Sequence, residues 1–255
     1  MRIGVQFAPL LGLRSGHFGL FWAECLGTEE WRILQDQTPS PTETERFGSK
    51  ALRPKTEKQV EDFLQICMRL SSRDDGQTVH FQANKLICSW NREENPQFTY
   101  SAADAQYDKL FGRLKAFTKN HGLGEPVPNL WELTYVNKIL PGKLWQRPAD
   151  WHRVLPGIFP VGGPQVNDHE WATFNGTWML VIPPQLGRVR IRIQKAVENA
   201  TDEVVLLLVI TARGEIGDPG ASDWSSGIRT GHRSAVRAFY DVASPEARQD
   251  WGLKS

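Results

Sequence analysis

Cysteine is scarce in this sequence, and its spacing suggests no pairing. Cys25, Cys67 and Cys88 are the three cysteines among 255 residues, and no Cys-x-x-Cys pair occurs. An odd number of widely separated cysteines excludes a disulfide framework and lacks the ligand spacing of a zinc site. Such cysteine usage is typical of a reducing compartment, so we predict a cytoplasmic protein.

Long apolar runs are missing as well. The longest run, Val204 to Ile210, is far too short for a membrane helix, so we predict no membrane contact. Residues 1–13 are mainly apolar, but Gln6 and Pro9 interrupt them and no small-x-small cleavage site follows. This pattern argues against a signal peptide.

An excess of charge of one sign is also absent. There are 30 Lys and Arg against 29 Asp and Glu, which gives a formal net charge of +1. With 40% apolar and 23% charged residues, the composition is that of an ordinary globular protein. A net charge this small argues against bulk non-specific attraction to nucleic acid or membranes, although local stripes can still bind.

The familiar nucleotide-binding and hydrolase motifs do not occur. The sequence has no G-x-x-x-x-G-K-[ST] loop and no G-x-S-x-G elbow. Gly122-Leu123-Gly124 is followed by Glu125-Pro126, which would block the helix that a dinucleotide-binding loop requires. Asp168-His169-Glu170 begins like a zinc-protease motif, but Thr173 stands where the second histidine is needed. We therefore predict no catalytic centre, metal or cofactor, and we favour a non-enzymatic protein.

Periodicity predicts an α+β fold in two halves. Alternating apolar residues predict strands over 3–7, 65–71, 78–82, 86–91, 130–140, 176–182, 189–196 and 203–212. Helical spacing predicts helices over 16–26, 101–121 (capped by Ser101), 226–242 and around 60–64. Each half has strands joined by short turns and then one long helix. We therefore predict two mainly antiparallel sheets, each covered by a long helix.

A domain junction is predicted where proline, glycine and tryptophan are concentrated. Residues 141–168 contain five prolines and a Gly-Gly pair. We therefore predict domains over 1–145 and 146–255. Trp145, Trp151 and Trp171 are predicted to pack between the domains, and Trp22, Trp90 and Trp178 are predicted to lie in the core.

Two arginine stripes are the most regular charged features. The strand stripe alternates with apolar residues of a predicted strand and comprises Arg188, Arg190 and Arg192. The helix stripe recurs every four residues of the last long helix and comprises Arg229, Arg233 and Arg237. Both can bind phosphate or carboxylate groups, or both can be ordinary solvated surfaces. We favour solvated surfaces unless the two stripes lie against each other.

The last long helix also has a narrow apolar stripe, formed by Ile228, His232, Ala235, Val236 and Phe239. We predict that this stripe packs on the strand residues Val189, Ile191 and Ile193. Trp251 is predicted to fold back over the end of the helix.

Several short motifs occur in a fixed order along the chain. They are His17–Trp22, Cys88–Arg92, Glu132-Leu133-Thr134-Tyr135-Val136-Asn137, Gly231-His232-Arg233 and Trp251-Gly252. Together they resemble a sporadically distributed family of uncharacterised bacterial proteins of about this length. The resemblance implies a two-part architecture and a locus of the antiviral defence or toxin–antitoxin type. We therefore predict a binding or regulatory protein that acts through a protein partner encoded nearby.

Two alternatives stay open. The first is association with nucleic acid through the arginine stripes. Independently of these alternatives, a homodimer is compatible with the sequence. The second is an enzyme with a dispersed site, for which Tyr135, Asn137, His80 and Glu132 are the candidates. Glu132 and Asn137 are also candidate binding residues, but their spacing predicts that they lie on opposite faces of one strand.

Overall fold

The computed structural model describes residues 1–34, 67–159, 175–183, 187–198, 201–216 and 224–253. The helix predicted around 60–64, the Asp168-His169-Glu170 motif and Trp171 lie outside these ranges. The described strands are β1 (Arg2–Phe7), β2 (Trp31–Ile33), β3 (Cys67–Ser72), β4 (Gln77–Gln82), β5 (Lys85–Trp90), β6 (Pro128–Ile139), β7 (Asn175–Ile182), β8 (Gly187–Val197) and β9 (Val204–Glu215). The described α-helices are α1 (Ser15–Phe21), α2 (Tyr100–Asn120), α3 (Trp151–Val154), α4 (Trp224–Val242) and α5 (Pro245–Asp250); a π-helix over Trp22–Leu26 continues α1, and a 3-10 helix over Pro148–Asp150 precedes α3.

All nine strands form one antiparallel sheet, in the order β2-β3-β4-β5-β1-β6-β9-β8-β7. The α+β class is confirmed, but a single sheet replaces the two that we predicted. Strand β6 links the two halves of the chain, because it pairs with β1 on one edge and with β9 on the other. Its pairing with β9 extends from Leu130↔Glu215 to Ile139↔Leu206. A strand has two edges of backbone donors and acceptors, and here each half of the chain supplies a partner for one of them. The domain boundary at 145/146 stays a prediction.

The helices that contact the sheet lie against one face, which we call the helix face. Phe7 of β1 packs on Phe111 of α2 with ring centroids 6.3 Å apart, and the Tyr107 hydroxyl donates to the Leu86 carbonyl at 2.8 Å. α1 covers β4 through Phe21, which contacts Phe81. Because side chains alternate along a strand, the intervening residues lie on the opposite face, which we call the open face. The sheet contacts of α1 and α2 given above lie on the helix face, although parts of the open face are buried as well.

Helix α4 lies on β6, β9 and β8 of the helix face. A Cβ atom added to Gly231 would lie 2.5 Å from the Trp131 ring, so glycine permits this close approach. The prediction that Val189, Ile191 and Ile193 face the helix layer agrees with their burial. The prediction for Val236 was wrong, because its side chain is 47% exposed on the outer side of α4.

Several local expectations are confirmed or corrected. The Trp251 ring stacks on Phe239, with centroids 5.6 Å apart and planes 6° apart, so the prediction that it folds back is confirmed. Helix α2 is capped by Thr99 rather than Ser101, because the Thr99 hydroxyl accepts from the Ala102 N–H at 3.3 Å. Trp178 is not a core residue; it lies in the edge strand β7 and is 37% exposed. No described helix is both long enough and apolar enough to span a bilayer.

Candidate anion-binding face

The pairing register places one residue from every strand in a single row on the open face. In spatial order the row is Arg32, Ser71, Thr78, Ser89, Arg2, Thr134, Thr211, Arg190 and Met179. The Thr134 and Thr211 hydroxyls lie 3.0 Å apart, which shows that these side chains share a face. Neighbouring strands are about 4.8 Å apart, so the row extends over about 38 Å. We call it the polar row.

The strand stripe lies on this open face. Val189, Ile191 and Ile193 are buried on the helix face, and the alternation of β8 turns its arginines the other way. Arg190 and Arg192 are exposed, and within the described part of the chain they have neither a hydrogen bond nor an ion pair. Two guanidinium groups of one strand are thus available to an anionic ligand.

The helix stripe lies on the other side of the molecule, on the outer surface of α4. Arg229 donates to the Ser225 hydroxyl at 2.6 Å, and Arg237 donates to the Asp241 carboxylate at 2.9 Å. Arg233 reaches the Thr230 hydroxyl at 3.4 Å. Because the sheet separates the two stripes, they do not lie against each other. The helix stripe has the local partners typical of a solvated helix surface.

Glu132, a candidate binding residue, is held in an ion pair on the open face. Its carboxylate accepts from Arg213 Nε at 2.9 Å and from a second nitrogen of the same guanidinium. Arg213 lies opposite Glu132 in the register of β6 and β9, and both side chains are largely buried. The pairing neutralises Glu132, so this carboxylate does not offset the neighbouring Arg188. Arg213 lies 81 residues from Glu132 in the sequence, so local spacing could not identify it as the partner of Glu132.

The other half of the open face carries a second group of cations around His80. His80 on β4 lies opposite Arg69 on β3 and Ile87 on β5. Burial, together with the positive charges of Lys85, Arg69 and Arg2, lowers the pKa of His80 to about 4. The His80 Nε2 atom is buried and has no hydrogen-bond partner among the described residues. Buried polar nitrogens rarely lack a hydrogen-bond partner in folded proteins.

A groove of about 1090 Å³ begins beside these cations and continues around the end of the sheet. Its open-face part is lined by Arg2, Arg69, Ser71, Thr78 and Ser89. Beyond them the lining includes Lys138, which is held by Glu93 at 2.9 Å and Glu198 at 2.7 Å.

Asn137, the other candidate of the β6 motif, also lines this groove, from the helix-face side. Its side-chain amide donates to the Leu208 carbonyl at 3.3 Å. Asn137 and Glu132 therefore lie on opposite faces of β6, as predicted from their spacing, and each faces different neighbours.

The residues considered for a dispersed enzyme site do not come together. Tyr135 and Asn137 lie on the helix face, whereas His80 and Glu132 lie on the open face. Instead, the Tyr135 hydroxyl lies 2.7 Å from His232 Nδ1, and the His232 ring stacks on Tyr100 at 3.7 Å. Burial raises the pKa of Tyr135 and lowers the pKa of His232. This contact joins β6, α2 and α4, and sequence periodicity did not reveal it.

Comparison with known proteins adds no homologue: neither a protein-family model nor a curated protein matches this chain. The resemblance to a sporadic bacterial family therefore stays a prediction. Within the described residues, no group of three or more His, Cys, Asp or Glu side chains is arranged to hold a metal ion. The functional argument rests on the geometry and charge of the open face.

Proposed function

We propose that this protein binds a polyanion across the open face of its sheet, with the sugar–phosphate backbone of a nucleic acid as the ligand. The observation that carries the proposal is the polar row, which joins Arg32 and Arg2 to Arg190 through five Ser and Thr residues. Guanidinium groups bind phosphate oxygens in a bidentate manner, and hydroxyl groups donate to the same oxygens.

The distribution of charge supports the proposal more strongly than the net charge suggests. Paired positions of the open face carry nine Lys or Arg residues and two Glu residues in the described strands. The nine are Arg2, Arg32, Arg69, Lys85, Lys138, Arg188, Arg190, Arg192 and Arg213, and the two are Glu132 and Glu215. Arg213 is paired with Glu132, and Lys138 is paired with Glu93 and Glu198, so the proposal rests on the cations of the polar row and on Arg192. Local potential of this kind attracts anions even when the whole molecule is almost neutral.

The residue composition of the open face predicts how the ligand is recognised. Its paired positions include no Phe, Tyr or Trp in the described strands. Proteins that read single-stranded bases usually stack them on such rings. We therefore expect contacts to the backbone and little dependence on base sequence.

The experiment compares two variants that lose the same charge on opposite surfaces. Arg190→Gln/Arg192→Gln removes two cations from the open face, whereas Arg233→Gln/Arg237→Gln removes two from α4. Fluorescence anisotropy with a labelled mixed-sequence oligonucleotide measures both affinities. We expect a loss of about tenfold or more for the open-face variant and less than about twofold for the α4 variant. Equal losses, or no binding by the wild type, would contradict the proposal.

A second candidate function is binding of a protein through the β7 edge of the sheet. Met179 and Val181 are 51% and 61% exposed, and no described strand pairs with the outer edge of β7. Asn175–Ile182 contains no charged residue, whereas the opposite edge strand, Trp31–Ile33, is short and has Arg32 at its centre. An uncharged strand pairs with a copy of itself without opposing like charges, so we propose a second copy as the partner.

Light scattering of the purified protein tests this second candidate. Leu180→Lys places a charge in β7, whereas Val136→Lys places one at a similarly exposed position of the central strand β6. We expect a wild-type dimer that only Leu180→Lys converts to a monomer. A monomeric wild type would contradict the proposal. A partner encoded by a neighbouring gene stays a separate proposal, which co-purification with that gene product tests.

A further inference from the structure

We infer that β7 joins two copies of the chain so that their open faces form one anion-binding site, in which Arg190 and Arg192 of each copy contact a single polyanion. We call this the composite site. The inference rests on the proposed function, because its ligand is the same sugar–phosphate backbone, and on the β7 contact of the second candidate function. It adds that the site is incomplete in one copy, so dimer formation and ligand binding strengthen each other.

The outer edge of β7 can accept a strand from a second copy. All of Asn175–Ile182 pairs with β8 on the inner edge, and no described strand pairs with the outer edge. Exposed apolar side chains lie on both faces of β7, with Trp178 and Leu180 on the helix face and Met179 and Val181 on the open face. Sheet edges are normally protected by charged residues or proline, and β7 contains neither. A second β7 strand would cover these backbone groups and side chains.

The symmetry of such a pair determines which faces of the two sheets meet. Most dimers of identical chains have a two-fold axis. Antiparallel pairing of two copies of one strand places this axis perpendicular to the sheet. Directly opposite residues of an antiparallel ladder point to the same face. The open face of one copy therefore continues into the open face of the other, and the helix layers of both copies lie on the reverse side.

The register of β7 and β8 gives the distance between the two pairs of arginines. Arg190 is opposite Met179 and Arg192 is opposite Thr177, so these four side chains share the open face. Across the axis the strands follow in the order β8, β7, β7, β8. The two β8 strands are therefore three strand spacings apart, or about 14 Å. The β7 side chains between them are uncharged, so β7 places no carboxylate beside a ligand that crosses the axis.

The composite site has twice the number of available cations that one copy has at this edge. Arg190 and Arg192 are exposed, and neither has a hydrogen bond or an ion pair in the described part of the chain. Two copies supply four guanidinium groups, each of which can bind a phosphate in a bidentate manner. Without a ligand these like charges repel across the axis, and salt screens the repulsion only in part, since the screening length is about 8 Å at physiological ionic strength. A bound polyanion replaces this repulsion with attraction.

Ligand binding and dimer formation are thereby linked. If the dimer binds a polyanion more tightly than one copy does, the polyanion must stabilise the dimer by the same factor. Couplings of this kind typically amount to about 5–150-fold. We therefore expect a saturating oligonucleotide to lower the dissociation constant of the dimer by about tenfold or more.

Sedimentation velocity of the full chain with a short, labelled, mixed-sequence oligonucleotide tests the composite site. Leu180→Lys places a charge in β7 on the helix face, whereas Val236→Lys places one on the outer surface of α4 at an equally exposed position. We expect two wild-type chains on one oligonucleotide, bound about tenfold more tightly than Leu180→Lys, which binds as a single chain. Val236→Lys should behave as the wild type does. A wild type that binds as a single chain, or equal affinities of the wild type and Leu180→Lys, would overturn the inference.

A second variant, Arg190→Gln/Arg192→Gln, tests the anion site without altering β7. Its dimer should form in the absence of ligand and, at low salt, should be tighter than the wild-type dimer, because the like charges are gone. The oligonucleotide should no longer strengthen this dimer, whereas Arg233→Gln/Arg237→Gln should retain the full effect. An oligonucleotide that strengthens the Arg190→Gln/Arg192→Gln dimer as much as the wild-type dimer would also overturn the inference.

Inorganic polyphosphate, used as a second probe, distinguishes this inference from the proposed function. If polyphosphate strengthens the wild-type dimer and the oligonucleotide does not bind, the composite site stands and the nucleic-acid proposal fails. If the oligonucleotide binds a single wild-type chain through Arg190 and Arg192, and neither anion changes the oligomeric state, the proposed function stands and the composite site is refuted.

Discussion

The strand stripe and the helix stripe contain the same number of arginines, yet their surroundings differ. On the open face, adjacent strands add further cations and hydroxyls beside Arg190 and Arg192. On α4, Ser225, Thr230 and Asp241 satisfy the arginines from the same helix. A sheet brings together residues that are distant in sequence, whereas a helix surface combines residues three or four positions apart. A regular stripe of three arginines therefore supports a binding surface in one case and an ordinary solvated surface in the other.

The largest expected effect is on stability and concerns an open-face arginine that is already paired. Arg213→Ala leaves the Glu132 carboxylate largely buried without its partner, which costs about 3–5 kcal/mol of unfolding free energy. Arg233→Ala on the exposed helix surface should cost less than about 0.5 kcal/mol. Urea denaturation measures both. A loss above about 2 kcal/mol for Arg233→Ala would mean that the helix stripe is a structural clamp.

The next effect tests whether two arginines of the polar row, Arg2 and Arg190, act as parts of one surface. Arg2 and Arg190 are three strand spacings apart, or about 14 Å, so their contributions should be independent. If each Gln substitution weakens oligonucleotide binding about fivefold, the double variant should lose about 25-fold. Adding Arg233→Gln to Arg2→Gln should change nothing further. Anisotropy titrations of the wild type and these four variants provide the measurement. An Arg2→Gln/Arg190→Gln variant no weaker than Arg2→Gln would exclude a continuous surface.

A smaller effect is expected at the end of the helix that carries the helix stripe. Phe239 is only half-buried, although it stacks on Trp251. Phe239→Ala should therefore cost about 2 kcal/mol, less than the 3–5 kcal/mol typical of a fully buried phenylalanine. Oligonucleotide binding should not change, because this contact lies on the helix side. A variant of normal stability with impaired binding would show that α4 belongs to the binding surface.

The smallest effect concerns the ion pair of the helix stripe. Arg237 and Asp241 are exposed and four residues apart, so Asp241→Asn should change the unfolding free energy by less than about 0.5 kcal/mol. Thermal denaturation at low and high salt is the measurement. A clear salt-dependent loss would show that the helix stripe contributes more to stability than its exposure indicates.

Local patterning allowed some of these features to be predicted, but not the surface itself. The alternation in β8 indicated that its arginines share a face, and the spacing of Glu132 and Asn137 indicated opposite faces. The row that unites Arg2 with Arg190 depends on the pairing of β1 with β6 and of β6 with β9. Such pairings join distant segments, and local periodicity does not determine their register. The contact between Tyr135 and His232, which are 97 residues apart, was missed for the same reason.

The most direct test of the central claim is the salt dependence of oligonucleotide binding. For single strands, the logarithm of the affinity falls with the logarithm of salt concentration by about 0.7 for each phosphate contact. Arg190→Gln/Arg192→Gln should therefore reduce the magnitude of the slope by about 1.4, and Arg233→Gln/Arg237→Gln should leave it at the wild-type value. Equal slopes for all three proteins, or a reduction caused by the helix-stripe variant alone, would contradict the assignment of the open face as the binding surface.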